Sequence, residues 1–203
     1  MLKVYGDARS GNCYKVQLLM SHLRIEHQWI EVDILAGETR TDEFLARNPN
    51  GRIPLLGLEN GEHLPESNAI LNYLAEGSDY LPRDALARAR VLSWQFFEQY
   101  SHEPYIAVAR FIATYLGLPE DRRAEYESKQ KGGHAALAVM DNALSRNAYL
   151  VGRTLSIADF SLYAYTHVAG EGGFDLSRYP AVTRWLARVA SHPRHVAMAG
   201  NGG

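Results

Sequence analysis

Asn48-Pro49-Asn50-Gly51-Arg52-Ile53-Pro54-Leu55-Leu56-Gly57-Leu58 reads as a turn-rich loop that runs into a strand at a proline. Proline has no N–H to give to a ladder, so it belongs at the start or edge of a strand, here over residues 53–58. Working outward, Asn60-Gly61 is a hairpin signal leading to a short strand at His63-Leu64. Residues 67–76 follow with Ala69, Ile70, Tyr73 and Leu74 at helical spacing. Upstream, residues 2–5 form a strand, and Val16, Leu19, Met20 and Leu23 recur at i, i+3, i+4 and i+7 of a helix. A second strand over 28–32 and a short helix over 41–48 complete the order β-α-β-α-β-β-α, an α/β domain spanning 1–77.

Residues 77–82, Gly-Ser-Asp-Tyr-Leu-Pro, combine turn formers with a helix breaker and read as a linker. Beyond them the pattern is helical, over 85–116, 120–146, 156–169 and 180–190, so an all-α domain is expected over 85–203. Residues 199–203, rich in glycine, are expected to be a frayed tail. Ser156-Ile157-Ala158-Asp159 has the spacing of an N-terminal capping box, which assigns Asp159 to folding and not to acid catalysis.

The bulk properties narrow the function. In 203 residues, 21 basic and 23 acidic side chains give a net charge of −2 without a basic run, so neither nucleic acid nor an anionic membrane is an expected partner. No apolar stretch reaches the roughly 20 residues of a membrane span, and the N-terminus lacks the pattern of a secretion signal. A cytoplasmic location is expected. The single Cys13 cannot form an internal disulfide. His192 and His195 flank Pro193 without a matching third ligand, so no metal is expected.

Three constellations carry chemistry. Arg9-Ser10-Gly11-Asn12-Cys13-Tyr14 lies at the turn from strand to helix, where free N–H groups and the helix dipole favour an anion such as a thiolate. A cysteine in place of Ser10 would make Cys-x-x-Cys, a redox motif; a serine hydroxyl can only donate to a bound thiolate. The bland alternative is a capped helix. Ile53-Pro54 offers an extended backbone for a ligand to pair with, most directly across a cis bond, the alternative being a plain strand start. Pro65-Glu66-Ser67-Asn68 would hold an α-amino acid end, Ser67 and the helix start taking the carboxylate and Glu66 the amine. Ser67 as a simple cap is the alternative.

Taken in order and followed by a helical domain, these motifs resemble the cytosolic glutathione transferase family along essentially the whole chain. The resemblance implies a thioredoxin-like N-terminal domain that binds glutathione as co-substrate, and a helical domain that brings a small-molecule electrophile. It implies that Ser10 stabilises the glutathione thiolate as in the serine-type theta, delta and phi classes. Asn12 and Cys13 are close enough to share or replace that role. Ile53 before Pro54 would pair with the cysteinyl backbone, and Glu66 with Ser67 would hold the γ-glutamyl end. Arg52, Thr39 and Arg40 are candidates for the glycine carboxylate, and Tyr105, Arg110 and Phe111 for the electrophile. A homodimer is also implied, with Trp94 and Phe97 offering apolar surface. Bringing a thiol from about 8.5 to about 6.5 requires roughly 2.7 kcal/mol, within reach of one hydroxyl bond and a helix terminus. Two alternatives remain: a non-catalytic binding protein on the same fold, or a thiol reductase that uses Cys13.

Overall fold

The computed structural model describes residues 1–198; the expected frayed tail at 199–203 lies outside them. The chain divides into two compact units, one of Met1–Ser78 joined by the segment from Arg194 to Met198, the other Asp79–Pro193.

In the first unit β1 (Leu2–Gly6), α1 (Gly11–Leu23), β2 (His27–Glu31), α2 (Asp42–Arg47), β3 (Leu55–Gly57), β4 (His63–Pro65) and α3 (Ser67–Ala75) follow the expected order. The sheet runs β2-β1-β3-β4, with β1 parallel to β2 and β3 antiparallel to both β1 and β4. Alternation divides its side chains: Val4 and Leu56 pack with Val16, Met20 and Ile70 of α1 and α3, whereas Tyr5 and Leu55 pack with Val32 and Phe44. Arg194 to Val196 lie along α1, where the Tyr14 hydroxyl donates to the Val196 carbonyl at 2.6 Å and Arg194 Nη1 to the His22 carbonyl at 2.6 Å. These residues therefore belong with the α/β unit, although their sequence position follows the helices.

The second unit is helical: α4 (Ala85–Phe97), α5 (Glu103–Arg110), α6 (Arg123–Leu144), α7 (Ile157–Thr166) and α8 (Pro180–Ala190). The periodicity predicts one helix over 85–116, but the chain widens into π turns at Glu98–His102 and Phe111–Tyr115. Pro104 explains the first, because a regular α-helix would need its missing N–H and would place its ring against the preceding turn. The capping box at α7 forms as expected. Asp159 is fully buried and accepts from Leu150 N, Ser156 N, Ser156 Oγ and Trp185 Nε1 at 2.9–3.0 Å, tying the loop before α7 to α8.

Candidate functional site

The turn from β1 to α1 is built on Asp7, a buried acid whose Oδ1 accepts from Arg9 N at 2.8 Å and whose carbonyl accepts from Ser10 N at 2.9 Å. Ser10 occupies the N-cap position, but its hydroxyl caps no helical N–H. It is hydrogen-bonded to the Cys13 thiol instead. Cys13 itself is 0% exposed and packs on β1, where a Cβ at Gly6 would come 2.9 Å from its Sγ. Burial pushes its thiol up to about 12, the Ser10 bond only partly opposing this. A thiol so placed is shut off from solvent, and burial opposes its ionisation. Native protein should accordingly alkylate with iodoacetamide on the order of 100-fold more slowly than guanidinium-denatured protein at the same pH. Equal rates by mass spectrometry would contradict this burial.

The α3 side departs from the sequence reading in one respect. Glu66, not Ser67, takes the cap position, at φ 71 and ψ 111, so the helix begins one residue earlier than a Ser67 cap requires. Positive φ in a residue with a Cβ costs on the order of 1–3 kcal/mol and accumulates at functional sites. Ser67 becomes the first helical residue, 6% exposed, and its Oγ lies 3.3 Å from Asn12 Oδ1 at the start of α1. The two helix starts are therefore joined through the side chains of Asn12 and Ser67. Lys15, which sequence reasoning overlooked, completes the junction: its Nζ donates to Asn12 Oδ1 at 2.6 Å and to Ser67 Oγ at 3.3 Å. The available signal was a lysine at helical spacing from Leu18, Leu19 and His22, on a face of α1 that is buried.

Around the loop before β3, Asn48 is buried and Nδ2 donates to the Arg52 carbonyl at 2.7 Å, while Oδ1 accepts from Asn50 N at 3.2 Å. Gly51, at φ 61, leaves room for Arg40 and the Thr39 carbonyl, which a Cβ would approach to 2.5 and 2.9 Å. Arg40 Nη1 donates to the Asn50 carbonyl at 3.3 Å. Buried Thr39 and exposed Arg40 and Arg52 thus gather about one loop, which leads into a cis Ile53-Pro54 bond.

In the helical unit, the Tyr105 ring lies against Gly132, where any side chain would collide with it. Phe111 stacks on Tyr115 with ring centroids 5.0 Å apart. Arg110 is 3% exposed and its Nε donates to Glu171 at 2.6 Å. That ion pair engages the Arg110 charge inside the protein. Among the described residues no group of three or more His, Cys, Asp or Glu side chains could hold a metal ion, and no helix is long and apolar enough to cross a membrane.

Comparison with known proteins gives matches over both units. The family model for the glutathione S-transferase N-terminal domain matches residues 9–76, and that for the C-terminal domain matches residues 93–193. A glutathione S-transferase structure from Pseudomonas fluorescens superposes with a TM-score of 0.96 at 63% identity, covering 98% of this chain and 99% of that one. Glutathione S-transferase 2 of Anopheles gambiae is 31% identical over 95% of this chain and 92% of its own. The disulfide-bond oxidoreductase YfcG of Escherichia coli is 28% identical over 92% of this chain and 89% of its own.

Proposed function

Since the chain belongs to the cytosolic glutathione transferase family, we propose that it binds glutathione and uses the glutathione thiolate as a nucleophile toward small electrophiles. The observation that carries this reading is the junction of the α1 and α3 starts, with Ser67 Oγ 3.3 Å from Asn12 Oδ1 beside the strained Glu66. First-turn amides of a helix have no acceptor within it, and two such ends brought together favour an anionic ligand. Glu66 and Ser67 take the γ-glutamyl amine and carboxylate, Ile53 the cysteinyl backbone, and Arg52 with Thr39 and Arg40 the glycine end. Ser10 donates to the thiolate, with Asn12 next in line.

The thiolate forms a bond to the electrophilic carbon as the leaving group departs, and no base is needed once the proton has gone to solvent. A second reading is favoured by the similarity to YfcG: the same glutathione sulfur attacks a disulfide and displaces a thiolate. Cys13 takes no part in either. Mass analysis of the product separates them, a thioether in one case and a mixed disulfide in the other. A homodimer is part of the proposal. Trp94 and Phe97 pack edge to face within the chain, with centroids 5.3 Å apart, whereas Leu86, Phe96 and Tyr100 carry the exposed apolar surface.

Calorimetry with glutathione on the parent protein, Glu66→Ala and Ser67→Ala tests the binding assignment. Loss of a buried hydroxyl bond to a carboxylate should weaken binding by roughly 10-fold or more in Ser67→Ala. Unchanged affinity in both variants would remove the γ-glutamyl assignment.

A further inference from the structure

Lys3, Lys129 and Lys131 all reach solvent, while Lys15 is 0% exposed. Its stem packs among the buried residues of α1, and a methionine of similar length would fill that slot without a charge. Replacing a buried charge by an apolar side chain is often neutral or stabilising, so packing alone gives no reason for a lysine there. Its head group, however, reaches the junction of α1 and α3.

The direction of the hydrogen bonds follows from that head group, because a lysine only donates. Asn12 Oδ1 accepts from Nζ at 2.6 Å, which turns the Asn12 Nδ2 donors away from Lys15. Ser67 Oγ also accepts from Nζ, at 3.3 Å, and its own proton points to Asn12 Oδ1, again at 3.3 Å. Since Lys15 already satisfies Oδ1, the Ser67 proton can turn to an arriving acceptor without leaving a buried oxygen unpaired. The positive charge behind it is poorly screened by solvent and favours an anion at the same place.

We infer that Lys15 is a positioning residue for the ligand's α-carboxylate: it holds Asn12 and Ser67 in a donor-outward arrangement and supplies the charge behind them. The inference rests on Glu66 and Ser67 being the γ-glutamyl site. It makes Lys15 a specificity determinant, selecting glutathione over the same tripeptide without the γ-glutamyl α-carboxylate.

The experiment is calorimetry on the full chain and on Lys15→Met with two ligands, glutathione and γ-aminobutyryl-cysteinyl-glycine, which lacks only that carboxylate. The parent protein should prefer glutathione, and Lys15→Met should reduce that preference by about 30-fold, the worth of one partly screened charge. Its affinity for the analogue should stay close to the parent's. Equal weakening toward both ligands, or toward neither, would overturn the inference and leave Lys15 a structural residue. If the parent protein shows no preference between the ligands, the γ-glutamyl assignment itself fails. Should Lys15→Met not fold, nitrogen-15 lysine spectra of the parent protein decide: glutathione, and not the analogue, should shift the one buried head-group signal. An unshifted signal overturns the inference.

Discussion

Ser10→Ala should raise the pKa of protein-bound glutathione by roughly 1–2 units, the equivalent of a charge-assisted hydrogen bond of about 1.5–3 kcal/mol. Below the raised pKa the thiolate fraction falls tenfold per pH unit. Turnover at neutral pH should therefore drop by about 10- to 100-fold and recover as the pH is raised through the new value. Cys13→Ala should leave the profile where it is, because that thiol is buried, raised to about 12 and turned into the packing against Gly6. Titration of the ultraviolet thiolate absorbance with glutathione bound, alongside kcat against pH, measures both effects. A profile that moves in Asn12→Ala but not in Ser10→Ala would transfer the sulfur contact to Asn12. One that moves only in Cys13→Ala would favour a thiol reductase that uses Cys13.

The second large effect concerns stability. Asp159→Ala should destabilise the protein by about 3–5 kcal/mol, since it strands buried donors at Leu150, Ser156 and Trp185 together. For a chain of this length that corresponds to a fall in Tm of roughly 6–20 °C. Burial pushes the Asp159 carboxyl up and its four donors pull it back, so the group is costly to bury yet costlier to remove. Thermal melts followed by circular dichroism are sufficient. A fall of less than about 1 kcal/mol would show that water satisfies those donors and that the capping box is not the anchor of α7.

The elements of the first unit were legible because each depends on local pattern. Alternation marks β1, the apolar stripe marks α1, and Asn60-Gly61 with Pro54 marks the hairpin and the start of β3. Helix breaks were less legible. Nothing in the periodicity of 85–116 distinguishes α from π turns, and only Pro104 hinted at the widening. The site residues divide in the same way: Ser10, Ile53-Pro54 and Glu66-Ser67 announce themselves by position at element ends. The burial of Arg110 and Cys13 was not legible, because it depends on packing: Arg110 pairs with Glu171 and Cys13 lies against Gly6.

What the sequence determined by itself was the order of elements and the family, and it singled out the few residues at helix starts that the proposal uses. The short-range propensities and turn chemistry behind those features act within a few neighbours along the chain. Which residue takes the cap before α3, whether a thiol is buried, and where a lysine head group lies were decided only in three dimensions. Each depends on solvent exclusion and on partners far apart in sequence, as Lys15 and Ser67 are, and these exist only once the helices have packed.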